Sequence, residues 1–375
     1  MLAINGRFVT QRTTGVQRYA REMLLALDDL LSTRESSASA DAVTAQLLVP
    51  PDAPASLPVL RSIAIRRVGR LRGHLWEQLE LPRHARGVLL NWCNTFPVLA
   101  RHQVVVLHDA SVLSAPEGYT PAFRAYYRAL FALAARRSML RVATVSAFSA
   151  MELRLLAGIP AARLRIIACG ADHWRSVAPD ETILERLDLR DAPFILTVAS
   201  DNPNKNTARL VTAYSRLAPR GVRLVLAGAG HARVFAQTAP TVADGLVRTG
   251  YLADAELAAL YRHARAFVFP SLYEGFGLPP LEAMTFGCPV LCSYAASLPE
   301  VAGDAALYCD AEDVDDIARK LQQILEDDAL RERLIAAGTR QVQRFLWRDA
   351  AAKMLTLAQD AQPRAMPSAV ARLNG

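Results

Sequence analysis

Two glutamates, two glycines and two adjacent prolines stand together in Pro270-Ser271-Leu272-Tyr273-Glu274-Gly275-Phe276-Gly277-Leu278-Pro279-Pro280-Leu281-Glu282-Ala283. Carboxylates accept hydrogen bonds from hydroxyl-rich ligands. Glycines such as Gly275 and Gly277 let backbone amides approach a ligand and point at it. Proline at the opening of a helix places Glu282 in its first turn, where the aligned N–H groups also attract phosphate. A sugar carrying a diphosphate would find a partner for each of its parts here. Glu282 taken alone could equally complement the helix dipole. The coincidence of all these residue types at one strand-to-helix turn favours a ligand site.

Four further segments could contribute polar chemistry. Ser200-Asp201-Asn202-Pro203-Asn204-Lys205-Asn206 lies between a strand and a helix, and a lysine there can neutralise charge on a departing diphosphate. Lys205 is one of only three lysines, with Lys320 and Lys353, in a chain whose other 40 basic residues are arginines. Thr13-Thr14-Gly15-Val16 opens a helix, and reads either as an ordinary N-cap or as a close approach to phosphate. His108-Asp109 ends an apolar run, a place where a histidine is structural or faces a ligand. Gly228-Ala229-Gly230 is a short glycine loop without the full dinucleotide fingerprint, suited to a backbone contact with a nucleotide at Gly228. Asp313-Val314-Asp315-Asp316 has metal-like spacing but begins an acidic helical pattern, so it reads as N-terminal helix charge. No metal site and no Gly-x-x-x-x-Gly-Lys loop is expected.

Positioning these residues requires strands that deliver them to one edge. Gln103 to Leu107, Arg141 to Val145, Phe194 to Ala199, Arg223 to Ala227 and Ala266 to Phe269 are apolar runs ending in polar or glycine-rich loops. Segments of helical period follow, from Gly15, Thr207 and Pro280. This alternation predicts an α/β protein with parallel sheets, whose ligands bind at the carboxyl ends of the strands. Two similar halves are expected: a domain over 1–172, a polar linker over 173–192, a second domain over 193–345, and a terminal helix and tail over 346–375. Ser36 to Ala40 reads as a loop.

The 375 residues suit two domains, and 52% apolar content excludes a disordered chain. The net charge of +7 is uneven: residues 1–175 carry 22 basic and 12 acidic side chains, residues 176–375 carry 21 and 24. Arg61, Arg66, Arg67, Arg70, Arg72, Arg83 and Arg86 surround Trp76, and Arg124, Arg128, Arg136, Arg137 and Arg141 interleave with Tyr126, Tyr127 and Phe131. Such segments suit an anionic membrane surface or a solvated helix face. Nothing resembles a nucleic-acid-binding module, so no nucleic acid is expected. Five scattered cysteines imply a reducing compartment without a disulfide framework. The absence of an apolar run of membrane-spanning length predicts a cytoplasmic protein, peripheral at most on the inner membrane.

The segment TGYLADAELAALYRHARAFVFPSLYEGFGLPPLEAMTFGCPVLCSYAASLPEVAGDAALYCD resembles the donor half of retaining glycosyltransferases of family 4. Gly15-Val16, Leu75-Trp76-Glu77-Gln78, His108-Asp109, Thr144-Val145-Ser146 and Leu346-Trp347 extend the likeness over nearly the whole chain. The resemblance implies the GT-B fold, two Rossmann-like domains facing each other across a cleft, the first binding the acceptor and the second the nucleotide sugar, with a C-terminal helix crossing back to the first. It implies catalytic roles for Glu274 on the transferred sugar, Lys205 on the diphosphate and His108 near the donor sugar. Substrate would also meet Gly15, Val16, Asp109, Gly228, Tyr251, the backbone of Gly275, Phe276, Gly277 and Leu278, and Glu282 at the ribose. The family's second cation upstream of the lysine is replaced here by Asp201, Asn202 and Asn204. Ser297 to Glu300 resembles members that transfer mannose, so GDP-mannose is the expected donor and a UDP-sugar such as UDP-glucose the next. The nucleotide sugar is a substrate, and no cofactor is expected. The acceptor would be a lipid-linked oligosaccharide or saccharide of a bacterial surface polysaccharide. A nucleotide-sugar 2-epimerase of the same fold is the alternative.

Overall fold

The computed structural model describes residues 1–35, 43–116, 119–198, 202–219, 221–228 and 245–362. Ser36 to Ala40, Ser200-Asp201, Ala229-Gly230 and the tail from residue 363 lie outside the described residues.

Among the described residues, thirteen strands form two parallel sheets. The first contains β1 (Leu2–Asn5), β2 (Ala45–Val49), β3 (Ile63–Arg67), β4 (Val88–Asn91), β5 (Gln103–Val106), β6 (Leu140–Thr144) and β7 (Leu164–Ile166), in the order β3-β2-β1-β4-β5-β6-β7. The second contains β8 (Phe194–Val198), β9 (Arg223–Ala227), β10 (Leu246–Gly250), β11 (Ala266–Phe269), β12 (Val290–Ser293) and β13 (Ala306–Cys309), in the order β10-β9-β8-β11-β12-β13. Central strands such as β1, β4, β5 and β11 are buried along their whole length, as strands covered by helices on both faces must be. The edge strand β3 instead exposes Arg66 and Arg67, whose charge discourages pairing with another chain. Arg67 donates to the carbonyls of Pro51 and Ala53, so this part of the basic excess is bound locally.

The strand order reverses between β1 and β4 in the first sheet and between β8 and β11 in the second. Loops leaving such points splay apart and open a crevice. The loops after β8 and β11 carry Lys205 and Glu274, so the two residues singled out for opposite charge share the reversal point of the second sheet.

Residues 173–192 are packed rather than extended. They contain a short helix Thr182–Arg186 with Ile183 and Leu184 buried, and Trp174 is 1% exposed. The terminal helix Trp347–Asp360 crosses to the first domain and packs against the helix Gly15–Glu35. Asp172 caps it by accepting from the Trp347 backbone N–H at 2.8 Å, and the Trp347 and Tyr19 rings meet at 5.5 Å. No helix among the described residues is long and apolar enough to cross a membrane.

Candidate active site

Lys205 Nζ donates to Glu274 Oε1 at 2.7 Å and lies 4.6 Å from the centre of the Phe269 ring. Both side chains are mostly buried, so the pair is less screened than a surface bridge. Asn206 sews the surrounding loops together. Its backbone is left-handed (φ 55°), and its amide donates to the carbonyls of Pro270 at 3.0 Å and Ala311 at 2.7 Å. Leu272 N–H donates to the Asn204 carbonyl at 2.8 Å, which locks the lysine loop to the glutamate loop.

The two glycines of the acidic loop have distinct duties. Gly277 has φ +104°, a left-handed conformation that a side chain strains. Gly275 has an ordinary backbone but no room, since a Cβ there would lie 2.8 Å from the His108 carbonyl oxygen and 3.0 Å from Asp109 Cβ. The acidic loop therefore rests directly on the strand end of the opposite domain. The Gly275 carbonyl accepts from Ser146 Oγ at 2.6 Å and Ser149 Oγ at 3.0 Å. Phe276 is buried against Phe345, and Leu278 opens the helix Leu278–Thr285.

His108 is 7% exposed, with Nε2 2.8 Å from the Trp92 carbonyl. Burial holds its pKa below the usual histidine range, against the opposing pull of that carbonyl and of Asp109. The ring is therefore neutral at pH 7. The proton on Nε2 faces the carbonyl and leaves Nδ1 as an acceptor for a hydroxyl. Asp109 Oδ1 accepts from the Ser111 backbone N–H at 2.9 Å and from its hydroxyl at 2.6 Å.

Glu282 sits deeper, 6% exposed, accepting from the Tyr261 hydroxyl at 3.0 Å. Burial pushes its carboxyl up, opposed first by the Arg18 charge and then by Tyr261. Arg18, from the first domain, is bidentate to Asp254 of the second at 2.9 and 2.5 Å. Gly15 is exposed at the start of its helix with open space in front of it, beside the half-buried Val16. Thr14 is bonded to Gln17 there, an N-cap arrangement, so capping and ligand approach coexist. Gly228 follows β9 with φ +81° and its N–H donates to the Gly250 carbonyl at 2.8 Å. Tyr251 is 61% exposed, with the Arg12 guanidinium 5.1 Å from its ring centre. Asp313, read as helix N-terminal charge, is the N-cap and accepts from the Asp315 and Asp316 backbone N–H groups.

Glu300 plays a part that the sequence did not reveal. Its carboxylate accepts from the backbone N–H of Ala147 at 2.8 and 2.9 Å and of Phe148 at 3.2 Å, capping a helix of the other domain. Ser297, three residues earlier, donates to the carbonyls of Glu274 and Phe276. Tyr273 reaches across to Glu152, so the acidic loop and its neighbours hold the two domains together from one side. The missed signal was the acid itself: a carboxylate that caps a helix distant in sequence leaves no local pattern.

The family model described as glycosyl transferases group 1 matches residues 180–341. O-antigen chain mannosyltransferase B of Escherichia coli is 39% identical over 255 residues, 65% of this chain and 66% of that protein. A serotype-specific mannosyltransferase WbdA, also of Escherichia coli, is 36% identical over 265 residues, 66% of this chain and 32% of the relative. The chain thus spans less than two thirds of the length of these curated relatives. Among solved structures, WaaG, a glycosyltransferase involved in lipopolysaccharide biosynthesis, superposes with a TM-score of 0.70 over 96% of this chain and 99% of its own, at 15% identity. The fold is GT-B.

Proposed function

We propose that this chain, which belongs to the glycosyl transferases group 1 family through residues 180–341, transfers mannose from a nucleotide donor to a saccharide of a surface polysaccharide. The observation that carries this reading is the Lys205–Glu274 pair at the reversal point of the second sheet, pressed through Gly275 onto His108-Asp109 of the first. The names of the mannosyltransferase relatives support the choice of sugar.

In this reading Glu274 turns from Lys205 to accept hydroxyls of the bound sugar, and Lys205 Nζ moves to the diphosphate. His108 Nδ1 accepts a further sugar hydroxyl, Glu282 holds the ribose, and the helix opened by Gly277 and Leu278 faces the phosphates. The bond between the anomeric carbon and the phosphate oxygen breaks while the acceptor oxygen bonds to the same face of that carbon. The acceptor's proton passes to the departing phosphate oxygen, and the configuration is retained. The charge gathering on the diphosphate is what Lys205 and the backbone amides stabilise, without a divalent ion. GDP-mannose is the first donor to try and UDP-glucose the second. The acceptor is lipid-linked or a free saccharide, and the arginine-rich first domain rests on the anionic face of the inner membrane from the cytoplasmic side.

The test is an incubation with GDP-mannose and a mannose-terminated acceptor, with the new linkage read by NMR. An α-linked product formed in excess EDTA is expected. An inverted linkage, strict dependence on a divalent ion, or an epimerised donor with no transfer overturns the corresponding part of the reading.

A further inference from the structure

His108 can accept a hydroxyl at Nδ1 only if its ring is held with that nitrogen toward the cleft. The backbone is fixed from the strand side. The His108 N–H donates to Asn94 Oδ1 at 2.7 Å, and Asn94, left-handed at φ +61°, donates its own N–H to the Val106 carbonyl at 3.1 Å. The side chain has a single hydrogen bond, from Nε2 to the Trp92 carbonyl at 2.8 Å. Nε2 lies at the far end of the imidazole, nearer than Nδ1 to the axis about which the ring turns. A bond there tethers the tip, but a terminal sp³–sp² torsion has a broad minimum, so the plane of the ring can still swing and carry Nδ1 with it.

A second contact bears on that plane. The Tyr19 ring stands perpendicular to the imidazole, at 90° with the centroids 4.8 Å apart. In this geometry the electron-rich face of one ring meets the electropositive edge of the other, a contact that a tilt of either ring weakens. Tyr19 is fully buried on the helix Gly15–Glu35, about one turn in from the end that opens at Gly15. It is backed by Trp347, whose ring meets its own at 5.5 Å and 71°. Trp347 is in turn held where the chain crosses between the domains. Its backbone N–H donates to Asp172 Oδ1 at 2.8 Å, its indole N–H donates to His173 Nδ1 at 3.0 Å, and beside it the Ala171 N–H donates to the Phe345 carbonyl at 3.0 Å. Tyr19 is thus clamped between His108 and the domain crossing.

The hydroxyl of Tyr19 takes no part in this. Among the described residues it is buried without a hydrogen-bond partner. Burial first, and then the neighbouring Cys169 and Cys93, push its pKa well above the ordinary tyrosine value, so it keeps its proton. An unpaired buried hydroxyl costs stability, and what Tyr19 offers its neighbours is its ring.

We propose that Tyr19, through its ring, is the positioning residue that fixes the plane of His108 and aims Nδ1 into the cleft. That this nitrogen then accepts from the transferred sugar rests on the glycosyltransferase reading; the alignment of the ring does not.

The experiment is NMR of the histidine rings in the full chain carrying isotope-labelled histidine, with His108 identified as the signal that His108→Ala removes. Transfer from GDP-mannose to a mannose-terminated acceptor is measured on the same proteins: the wild type, Tyr19→Leu, Tyr19→Phe, and Tyr19→Leu combined with His108→Ala. In the wild type His108 is expected as one neutral tautomer with its proton on Nε2. Tyr19→Leu should mix the two tautomers and lower kcat by about tenfold or more at a nearly unchanged donor KM, because a misaimed group is lost from the transition state. Tyr19→Phe, the conservative variant, should restore both the tautomer and the rate. In the His108→Ala background Tyr19→Leu should change transfer by less than about twofold. Tyr19→Met takes the place of Tyr19→Leu if the latter does not fold. A wild-type His108 that populates both tautomers overturns the proposal whatever the variants do. So does a wild-type tautomer in Tyr19→Leu, or a loss of rate that persists without His108, since either makes Tyr19 a core residue only. A loss in Tyr19→Phe equal to that in Tyr19→Leu overturns the ring in favour of the hydroxyl. Mixed tautomers in Tyr19→Leu alone, with no transfer by any of the proteins, support the positioning role and overturn the proposed reaction.

Discussion

An ion pair that must open before either partner can serve a ligand sets the behaviour expected of Lys205 and Glu274. If Lys205 faces the leaving diphosphate and Glu274 accepts from the sugar, as proposed, Lys205→Ala and Glu274→Ala should each lower transfer by about 100-fold or more. Circular dichroism should show both variants folded, because the loops remain sewn together by Asn206. The double variant should lose less than the product of the two, since the residues act on one transition state. Full additivity would mean that they serve separate steps. Glu22 carries a different kind of prediction. Burial, partly opposed by the Arg18 charge and reinforced by Asp254, pushes its pKa up to about 7. A carboxyl raised in the folded state is neutral at low pH and is forced to ionise in place as pH rises. Stability is therefore lost between the ordinary glutamate pKa and about 7. Glu22→Gln should leave the melting temperature nearly unchanged at pH 5 and raise it at pH 8. A constant gap between the two proteins would disprove the linkage. Lys205, Glu274 and His108 were legible in the sequence because each ends an apolar run or stands in a polar loop. The network of Glu22, Arg18 and Asp254 was not, because Asp254 lies more than 200 residues from the other two and none of the three sits in a motif.

At the scale of elements, the helix Ala147–Leu155 takes its N-terminal partner from another domain. Ser146 already caps it by accepting from Ser149 N–H at 3.0 Å, and Glu300 adds a charge at the positive end of its dipole. Glu300→Ala should cost about 1 kcal/mol through this contact. It should also raise the Michaelis constant for the donor, because the lost cap is a domain-to-domain contact. A melting curve and donor kinetics together check this, and unchanged kinetics would reduce Glu300 to a helix cap. Gly275→Ala acts through the same contact in the opposite way. Its Cβ meets the His108 carbonyl and the Asp109 Cβ, which are backbone or tied close to it, so the domains must part. Transfer should fall steeply while each sheet keeps its own stability. The strands β5, β6, β8, β9 and β11 were readable as apolar runs ending in loops. The strands β1, β2, β3 and β4 passed unread: they are short, and β1 begins at the second residue of the chain. Missing β1 and β4 also hid the reversal point of the first sheet.

At the scale of the whole molecule, the charge imbalance between the halves falls on two domains with different tasks. The basic half carries His108 and Asp109, while the mildly acidic half holds Lys205 and the two glutamates. The halves are nevertheless not independent bodies. One continuous apolar cluster joins Leu2 of the first sheet to Ala361 at the end of the returning helix, through Trp174 and Trp347. Gly170 lets the Trp347 backbone come so close that a Cβ would lie 2.4 Å from its nitrogen. Replacing Trp347 by alanine should therefore cost about 3–5 kcal/mol and destabilise both domains, and calorimetry should show both affected rather than one. The same continuity makes a nucleotide's binding energy visible in the melting temperature of the entire chain. A nucleotide at about 100 times its dissociation constant stabilises the folded state by about 2.7 kcal/mol. With the usual entropy of unfolding per residue, that corresponds to about 3 °C for a chain of this size. If the donor is GDP-mannose, GDP should give a shift of that order, while UDP, ADP and dTDP at equal concentration give less than about 1 °C. A larger shift with UDP would keep the site and change the donor. Equal shifts with all four would mean that the base is not recognised, so that the diphosphate grip around Lys205 carries the binding alone.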